Sequence, residues 1–368
     1  MATSAEQKYM ARALELAEKG RGKTSPNPMV GAVLVKNGRV VSEGYHRQVG
    51  AEHAEIMALK KAGPKAAGAT LYVSLEPCCH RGRTGPCTDA IIDAGIARVV
   101  YAAKDPNPLV NGKGAARLRR AGLKVDKGLL GDRARQLNEA YLSYHQKGRP
   151  FVVVKTAQTI DGRIATSTGD SQWISGSEAL KYGHRIRAEV DAVVVGMGTV
   201  RTDNPSLTVR HVRGRNPYRI VVSSSLRFPK HCHLLDNNTD RKTIVATSAE
   251  SAERFSRRRR KGDLIYWELK TSRDGLIDLN DFMKKADEFG FRSLLVEGGR
   301  SLSTAFLKHN LVDKYITIIS PKLIGDGINA VGDLGIRRLS RAMELERSSC
   351  ERVGRDIIVT GYPAKKGK

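Results

Sequence analysis

The sequence predicts an α/β protein with two domains, and three observations support that prediction. The chain has 368 residues, which is more than one ordinary hydrophobic core organises. Short apolar runs typical of strands alternate with segments of helical periodicity in both halves. This alternation starts afresh after Gly148-Arg149-Pro150, a stretch that interrupts regular structure. We therefore expect one domain in residues 1–148 and a second domain in residues 149–368.

The first domain is predicted to open with a helix, because apolar residues recur at helical spacing from Met10 to Ala17 and Gly20 follows. Asn37-Gly38 predicts a tight hairpin turn between strands at 30–35 and 40–43. The remaining elements expected here are helices at 53–61, 87–94, 115–121 and 132–146, and strands at 71–74, 99–102 and 123–125.

The second domain is predicted to begin with a strand from Phe151 to Lys155. Ser175 and Glu178 have the spacing of a capping box for a helix that reaches Ala188. The other elements expected here are strands at 192–195, 220–222, 243–246, 294–296, 315–319 and 356–360, and a helix at 302–308.

Four residues of the first domain have the types and order of a catalytic zinc site. His53, Cys78 and Cys87 supply one imidazole and two thiolates, which are ligands that zinc prefers. Three protein ligands leave a fourth position for a water whose pKa the metal lowers. Glu55 lies beside His53 and is the natural proton shuttle. His-x-Glu followed by Pro-Cys and a second Cys is the motif of zinc-dependent nucleobase deaminases.

Each of these residues has an ordinary structural interpretation when it is taken alone. A histidine at a helix start is often solvated, and a cysteine near a strand end is often a small buried apolar residue. The combination of all four, with a proline before each cysteine, favours the metal site. Cys79 offers an alternative thiol, although Pro77-Cys78 fits the motif better.

Composition and charge limit the possible cellular locations and the classes of binding partner. No apolar run is long enough to cross a bilayer, and residues 1–8 lack the apolar core of a signal peptide. Five cysteines, three of them clustered, do not resemble a disulfide framework. We therefore expect a cytoplasmic protein without a membrane anchor. The net charge of +25 attracts anions, which include phosphorylated metabolites, NADPH and nucleic acid.

The densest basic run is Arg257-Arg258-Arg259-Arg260-Lys261. No aromatic residues are interleaved with it, so a solvated surface is the favoured interpretation and nucleic-acid binding is the weaker one. We accordingly expect no nucleic acid partner. We do expect a homo-oligomer, whose number of subunits the sequence does not specify.

Two glycine-rich junctions in the second domain suggest a dinucleotide site. Gly196-Met197-Gly198-Thr199 follows one predicted strand, and Glu297-Gly298-Gly299-Arg300-Ser301 lies between another strand and a helix. Glycines there let a phosphate approach the backbone at a helix N-terminus. Neither segment is a complete dinucleotide fingerprint, and a tight turn explains either one equally well. Arg187 and Arg210 are candidates for holding a phosphate, or else are surface residues.

Several longer segments carry a family resemblance. They are Ser25-Pro26-Asn27-Pro28-Met29-Val30-Gly31, His53-Ala54-Glu55, Leu75-Glu76-Pro77-Cys78, Gly82-Arg83-Thr84-Gly85-Pro86-Cys87, Asp105-Pro106-Asn107-Pro108, Asp161-Gly162, Ser171-Gln172-Trp173-Ile174, Asp203-Asn204-Pro205, Leu207-Thr208-Val209-Arg210 and Glu297-Gly298-Gly299. Along nearly its whole length the chain resembles the bifunctional riboflavin-biosynthesis deaminase–reductase family. Deaminases acting on tRNA adenosine are similar, but they usually have a much shorter segment between the two cysteines.

The resemblance implies a cytidine-deaminase-like α/β/α domain followed by a dihydrofolate-reductase-like α/β domain. It implies two consecutive reactions on a small phosphorylated pyrimidine. The first is the zinc-dependent deamination of 2,5-diamino-6-(5-phosphoribosylamino)pyrimidin-4-one. The second is the reduction by NADPH of the ribosyl group of 5-amino-6-(5-phosphoribosylamino)uracil to a ribityl chain. The implied cofactors are Zn²⁺ and NADPH.

The resemblance also implies roles for individual residues, with Glu55 as the catalytic residue and His53, Cys78 and Cys87 as the metal ligands. The implied substrate contacts are Asn27, His46, Arg83, Asp105 and Asn107 in the first domain, and Ser171, Arg187, Leu207, Arg210 and Glu297 in the second. The implied NADPH contacts are Ala157, Trp173, Thr199, Asp203, Gly299, Arg300, Ser301, Leu302, Ser303, Thr304 and Ala305.

The chain departs from the family pattern in a few places. Thr159-Ile160 stands where Ser-Leu is usual, Asn204 where a second aspartate is common, and Cys79 where serine is frequent. Two alternative functions remain at this point. One is a zinc deaminase acting on nucleic acid, with a non-catalytic basic C-terminal domain. The other is a chain in which one domain has lost catalysis and serves binding.

Overall fold

The computed structural model describes residues 3–82, 85–257 and 264–364. The chain forms two compact units, Met1–Gly148 and Arg149–Lys368. Within the described residues, no helix combines the length and apolar character needed to cross a bilayer.

The first unit opens with helix α1, Ser4–Glu18, which Thr3 and Glu6 cap reciprocally. The hairpin of β1, Gly31–Lys36, and β2, Arg39–Tyr45, follows. Asn37 and Gly38 have φ angles of 50° and 72°, as a two-residue turn of the predicted type requires.

Helices and parallel strands then alternate as the sequence predicts. The elements are α2, Ala54–Ala62; β3, Thr70–Leu75; α3, Cys87–Asp93; β4, Arg98–Ala103; α4, Lys113–Arg120; and β5, Lys124–Lys127. The sheet has the order β2-β1-β3-β4-β5. The pairs β1–β2 and β1–β3 are antiparallel, while β3–β4 and β4–β5 are parallel.

Apolar residues cover both faces of this sheet, which gives the unit its α/β/α layers. One cluster joins Leu34, Val73 and Val99 to residues of α2, α3 and α4. A second cluster joins Val33 and Tyr72 to α1 and to the segment that follows β5.

The single helix predicted at 132–146 is wrong. The structure has two helices, α5 at Gly131–Leu137 and α6 at Glu139–Lys147. Asn138 interrupts them because its side chain leaves the helical pattern to bind a distant backbone. Its Oδ1 accepts the Met29 N–H at 2.8 Å, and its Nδ2 donates to the Met29 carbonyl at 2.9 Å. A tertiary contact therefore overrides a continuous local pattern.

The second unit is built on nine strands in the order β11-β10-β9-β8-β12-β6-β13-β16-β15. Their bounds are β6, Phe151–Thr159; β8, Ala192–Gly196; β9, Tyr218–Val222; β10, Thr243–Thr247; β11, Ile265–Glu268; β12, Ser293–Val296; β13, Lys314–Ser320; β15, Leu345–Val353; and β16, Asp356–Pro363. Among the described strands of this sheet, the β13–β16 and β15–β16 pairs are antiparallel and the other pairs are parallel. A small separate ribbon pairs β7, Arg163–Thr166, with β14, Gly327–Asn329.

The helices of this unit are α7, Ser177–Glu189; α8, Met197–Asp203; α9, His233–Asp236; α10, Ala249–Ser256; α11, Leu279–Glu288; and α12, Arg300–Lys308. The central strands are buried on both faces, which explains their continuous apolar runs. At the start of the unit, Arg149 makes a two-pronged contact with the buried carboxylate of Asp313, at 2.7 and 2.9 Å.

The capping box predicted for α7 is wrong. Gly176 is the N-cap residue, and no side chain caps the helix in the usual way. Instead, the buried carboxylate of Asp356 accepts the Gly176 N–H at 2.7 Å. Asp356 lies 180 residues away in the sequence, so local spacing could not reveal this contact.

Candidate active sites

The three predicted metal ligands meet where helices begin at the edge of the first sheet. His53 is the N-cap residue of α2, and Cys87 is the first residue of α3. Cys78 follows the end of β3 by three positions, since β3 ends at Leu75. The candidate donor atoms of these residues all lie within 4.8 Å of one another. The fold thus brings together side chains that lie 25 and 34 residues apart in sequence.

The distances suit a tetrahedral zinc centre. His53 Nδ1 lies 3.1 Å from Cys87 Sγ and 3.6 Å from Cys78 Sγ. Zinc bonds of about 2.0 Å to nitrogen and about 2.3 Å to sulfur place neighbouring ligand atoms roughly 3.5 to 3.8 Å apart. The observed separations lie near that range, and the donor set of one nitrogen and two sulfurs is one that zinc accepts. The residues present therefore fit zinc.

The contact between Cys78 and Cys87 moves the pKa values of the two thiols in opposite directions. A hydrogen bond from Cys87, with a further contribution from His53, lowers the pKa of Cys78 to about 4. The same contact with Cys78 raises the pKa of Cys87. The cluster therefore already stabilises one thiolate, which is the form that binds a metal.

Glu55 lies in the first turn of α2 and is only 4% exposed. Burial is the main cause that raises its pKa to about 7, and the neighbouring Cys78 adds to the effect. A carboxyl group with a pKa near neutrality can both accept and donate a proton at physiological pH, as a general acid–base catalyst must. Its position and its pKa suit the proton-shuttle role predicted from the sequence.

Asn27 and His46 lie together beside the metal cluster. The Asn27 amide nitrogen is 3.2 Å from His46 Nε2, and His46 Nδ1 is 3.1 Å from the Glu52 carbonyl. A carbonyl can only accept, so Nδ1 of His46 carries the proton and Nε2 accepts from Asn27. Burial lowers the pKa of His46, which agrees with this neutral form. The His46 and His53 rings are 5.6 Å apart.

Asp105 and Asn107 follow the end of β4. Asp105 is 5% exposed, and burial raises its pKa to about 6. Its carboxylate accepts the Asn107 N–H at 2.9 Å and the Tyr141 hydroxyl at 3.0 and 3.2 Å. Asp105 is therefore held in one orientation by a residue of α6 that the sequence analysis did not include.

Glu76 orders the loop between β4 and α4. Its carboxylate is 3% exposed and accepts the backbone N–H groups of Gly112, at 3.0 Å, and Ala115, at 3.1 Å. These are donors at the start of α4, where a carboxylate is favoured. The remaining predicted substrate contact of this domain, Arg83, lies outside the described residues.

In the second unit the two glycine-rich junctions meet. The strands β8 and β12 are parallel neighbours, so their carboxyl ends lie side by side. The Thr199 hydroxyl accepts the Gly299 N–H at 3.0 Å, which joins one junction to the other. β12 lies between β8 and β6 although it follows both in sequence. Such a change in strand order opens a crevice at the carboxyl ends of the strands, where nucleotides commonly bind.

The structure also describes the predicted ligand contacts Ser171, Asp203, Trp173 and Ala157. The Ser171 hydroxyl donates to the Asp203 carboxylate at 3.2 Å, so a predicted substrate contact touches a predicted cofactor contact. The side chain of Trp173 is 65% exposed and its ring is free for stacking. Ala157 lies on β6, in register with Ile318 of β13.

Near the start of α12, the hydroxyls of Ser303 and Thr304 are bonded to nearby backbone groups. Ser303 is fully buried, and its hydroxyl donates to the Gly298 carbonyl at 3.2 Å. The Thr304 hydroxyl donates to the Arg300 carbonyl and accepts the Gly332 N–H at 2.7 Å. An added Cβ at Gly298 would lie 2.9 Å from Leu302 Cβ, so close packing of the helix requires glycine there.

A charge cluster lies next to this junction. Arg187 Nε donates to Glu297 Oε2 at 2.7 Å, and Lys155 Nζ lies 3.8 Å from Glu297 Oε1. The second contact is an ion pair beyond hydrogen-bonding distance, and Glu297 Oε1 has no hydrogen-bond partner among the described residues. Burial lowers the pKa of Lys155, and burial together with nearby Arg187 lowers the pKa of Arg210. Two cations, Arg187 and Lys155, thus flank one carboxylate, and Arg210 lies near Arg187, which leaves an excess of positive charge suited to an anionic ligand.

Leu207 holds an unusual backbone conformation beside these cations. It has a φ angle of 52° and is 2% exposed, and Asn204 nearby has a φ angle of 40°. Non-glycine residues in the left-handed region are rare and cluster at binding sites. The surrounding structure therefore holds this segment in a fixed and unusual conformation next to Arg187.

Comparison with known proteins identifies the family. The RibD C-terminal domain family matches residues 150–359, and the cytidine and deoxycytidylate deaminase zinc-binding region matches residues 3–103. The riboflavin biosynthesis protein RibD of Aquifex aeolicus (strain VF5) is 45% identical over 355 residues, 96% of this chain and 97% of the relative. The chain belongs to the RibD family. The Escherichia coli (strain K12) RibD is 38% identical and covers 95% of this chain and 97% of its own.

Solved RibD structures have the same fold over the same length. A deaminase/reductase from Thermotoga maritima has a TM-score of 0.87 at 36% identity, covering 98% of this chain and 99% of its own. RibD of Acinetobacter baumannii, form 1, has a TM-score of 0.85 at 34% identity with the same coverage. These likenesses confirm the predicted fold class: a cytidine-deaminase-like domain followed by the RibD C-terminal, dihydrofolate-reductase-like domain.

Membership in the RibD family confirms the predicted deaminase and reductase and gives no support to a nucleic-acid-binding alternative. Of the basic run, residues 258–261 lie outside the described residues, and Arg257 makes a surface ion pair with Glu253. The residues of these sites to which the sequence assigned no role are Glu76, Tyr141 and Lys155. The sequence does contain a signal for Lys155, because a lysine within an apolar strand is unusual. It contains no signal for the contact of Tyr141 with Asp105, which lies 36 residues away.

Proposed function

We propose that this chain catalyses two consecutive steps of riboflavin biosynthesis. The first is hydrolytic deamination of 2,5-diamino-6-(5-phosphoribosylamino)pyrimidin-4-one. The second is reduction of the ribosyl group of 5-amino-6-(5-phosphoribosylamino)uracil by NADPH. The observation that carries the proposal is the cluster of His53, Cys78 and Cys87 beside the buried Glu55, in a chain that matches full-length RibD proteins. A deaminase/reductase of T. maritima is named for these same two activities.

We assign the deaminase to residues 1–148, with His53, Cys78 and Cys87 as the zinc ligands. When bound, zinc supplies a Lewis acid that lowers the pKa of a water at its open position. Glu55 removes a proton from the attacking water and delivers it to the departing amino nitrogen. Its raised pKa of about 7 suits both transfers, and its burial excludes competing water from the carboxylate.

Substrate recognition in this domain is assigned to Asn27, His46, Asp105 and Asn107, with Arg83 as the cation for the phosphate. Asn27 and His46 form one hydrogen-bonded pair, and Asp105 and Asn107 form another. Each pair is fixed by further contacts to the protein, so the polar groups are oriented before the substrate arrives. Preorganised groups of this kind gain affinity because little conformational entropy is lost on binding.

We assign the reductase to residues 149–368, with NADPH in the crevice where the two glycine-rich junctions meet. The proposed contacts are Ala157, Trp173, Thr199, Asp203 and the segment from Gly299 to Ala305. The N-terminus of α12 offers backbone N–H groups and partial positive charge to a phosphate. NADPH supplies the hydride, and the protein positions it against the substrate.

The substrate of this second domain is placed against Ser171, Arg187, Leu207, Arg210 and Glu297. Lys155 joins this set because it is a partly buried cation beside Glu297, with a side chain that is 18% exposed. Glu297 neutralises part of the positive charge, and the remainder is available for the phosphate. We further propose a homo-oligomer and, from the five free cysteines, a reducing cytoplasmic environment.

One assay tests both activities separately. Purified protein with zinc, NADPH and the diaminopyrimidinone phosphate should release ammonia and oxidise NADPH. NADPH oxidation with supplied deaminated intermediate isolates the second step. Ammonia release without any NADPH oxidation, including with supplied intermediate, would contradict the reductase assignment. The reverse result would contradict the deaminase assignment.

A further inference from the structure

His184, a buried histidine on α7, is bound to the loop that contains Arg210. It is 1% exposed, and its Nδ1 accepts the Arg210 backbone N–H at 3.1 Å. Since a backbone N–H can only donate, Nδ1 carries no proton and the ring is neutral. Burial, with a smaller effect of Arg187, lowers the pKa of His184 to about 4. The acceptor therefore stays intact throughout the neutral pH range.

Three consecutive residues of this loop, Thr208, Val209 and Arg210, each have a backbone group within reach of a side chain from elsewhere in the unit. The Thr208 carbonyl lies 3.5 Å from Arg187 Nη1, the Val209 N–H donates to Asn216 Oδ1 at 2.8 Å, and the Arg210 N–H donates to His184. The loop also contains Leu207 in its left-handed conformation. A conformation of that kind persists only where the surroundings fix it.

His211 adds a second contact between α7 and the loop. Its ring lies edge-on to the His184 ring, with centroids 4.6 Å apart and an interplanar angle of 89°, a favourable arrangement for two such rings. His184 is three positions before Arg187 on α7, so both lie on one face of the helix. On this face of α7, Arg187 contacts Glu297 and His184 binds the loop that contains Arg210.

From these contacts we propose that His184 is a positioning residue for reduction, which holds the Arg210 loop so that Arg210 and Arg187 together bind the substrate phosphate. This rests on the function proposed above. His184 is too deeply buried to touch the substrate, and its Nε2 has no hydrogen-bond partner among the described residues. Its effect is therefore exerted through Arg210. The alternative is that His184 only fills the core. In that case, replacing His184 would change the stability of the protein but not its affinity for the substrate phosphate.

The test compares His184→Leu with His184→Gln in the full-length chain, using NADPH oxidation with supplied deaminated substrate. Leucine removes the acceptor and leaves the Arg210 N–H unpaired, whereas glutamine retains an acceptor oxygen. We expect His184→Leu to raise the KM for the substrate about tenfold or more, as loss of a buried hydrogen bond commonly does. Its kcat and its KM for NADPH should stay within about twofold of the wild type, and His184→Gln should restore most of the affinity.

A double-mutant cycle separates positioning from general stability. Arg210→Ala should raise the substrate KM, and adding His184→Leu to it should raise the KM little further, because the two residues act as one unit. Thr243→Val is the matched control: Thr243 is fully buried in the same unit, and its hydroxyl donates to the Leu234 carbonyl at 2.9 Å. It should lower the melting temperature without changing the substrate KM. A full multiplicative effect of His184→Leu in the Arg210→Ala background would overturn the proposal.

Calorimetric titration of the wild type and of His184→Leu with ribose 5-phosphate measures phosphate binding without catalysis. It therefore tests the positioning role separately from the proposed reaction. If the wild type does not reduce the uracil substrate, the proposed function fails. Weaker binding of ribose 5-phosphate by His184→Leu than by the wild type would still support the positioning role. Equal binding by both proteins, or no binding by the wild type, would overturn that role.

Discussion

Burial controls the chemistry of single residues in the first domain. Glu55 is nearly inaccessible to water, and the loss of hydration disfavours its ionised form. Asp105 shows the same effect more weakly, since Tyr141 and the Asn107 N–H bind its ionised form and oppose the effect of burial. Two carboxyl groups near one cluster thus have pKa values of about 7 and about 6.

Glu55→Gln removes the proton shuttle while keeping the size and polarity of the side chain. We expect loss of deamination by at least about 100-fold, because general acid–base catalysis contributes that much or more. Zinc content and reduction of supplied intermediate should be unchanged. Ammonia release, elemental analysis and NADPH oxidation measure the three outcomes. Deamination at the wild-type rate would contradict the role of Glu55.

Tyr141→Phe should change the pH dependence of deamination. The Tyr141 hydroxyl binds the ionised form of Asp105 and lowers its pKa, so its removal should raise that pKa above about 6. An Asp105 that acts as an ionised acceptor would then lose activity at a higher pH as the solution is acidified. The acid limb of the kcat/KM profile should therefore move to higher pH. Tyr72→Phe, which changes a buried tyrosine of another cluster, should leave the profile in place.

At the scale of elements, glycines set how closely two helices pack on the first hairpin. An added Cβ at Gly31 would lie 2.0 Å from the Ala13 carbonyl oxygen of α1, and one at Gly44 would lie 2.2 Å from the Ala54 carbonyl oxygen of α2. Neither backbone oxygen can move without displacing its helix. Because α2 carries Glu55 and begins next to His53, this packing also places the candidate catalytic residues.

Gly31→Ala should therefore destabilise the first domain strongly, by about 3 kcal/mol or more, because overpacking against a backbone forces a shift of the helix. Thermal unfolding followed by circular dichroism measures the effect. Gly82→Ala is a suitable control, since among the described residues its added Cβ would meet only His80 Nε2, at 3.9 Å. A melting temperature for Gly31→Ala equal to that of the control would refute the close-packing argument.

Each of the two compact units has a hydrophobic core of its own at the scale of the whole molecule. The first unit has apolar clusters on both faces of its sheet. The second has a large cluster that includes Trp267, Phe282 and Phe306. The candidate metal ligands all belong to the first unit. The metal should therefore matter for one activity and not for the other.

Removal of zinc by a chelator should abolish ammonia release and leave NADPH oxidation with supplied intermediate within about twofold of the untreated enzyme, because the metal supplies the activated water of one step only. Restoring stoichiometric zinc should recover deamination. The two rates and the metal content are measured on the same samples. Loss of both activities on chelation, with both recovered by zinc, would contradict the assignment of the metal to one unit.

Much of the candidate metal site was predictable because its residues stand in a compact local motif. Short-range spacing places His53 and Glu55 at a helix start, and a proline precedes each cysteine. Contacts between distant segments were not predictable in this way. Asn138 breaks a helix to bind Met29, and Asp356 takes the place of the expected capping box. Neither side chain is distinguished by its sequence neighbours.

The sequence alone predicted the two-domain α/β class, most elements of the first unit, the family and the candidate metal-binding side chains, because periodicity and motif spacing are local properties of the chain. It did not reveal β7, β11, β14, β15 or the helices α8 to α11 of the second unit. Only the tertiary structure decided which distant groups surround the candidate metal-binding side chains. The raised pKa values of Glu55 and Asp105, the meeting of Thr199 with Gly299, and the contact of His184 with the Arg210 loop all arise there. The physical reason is that desolvation and hydrogen bonding depend on which segments pack together, and packing is a property of the folded chain as a whole.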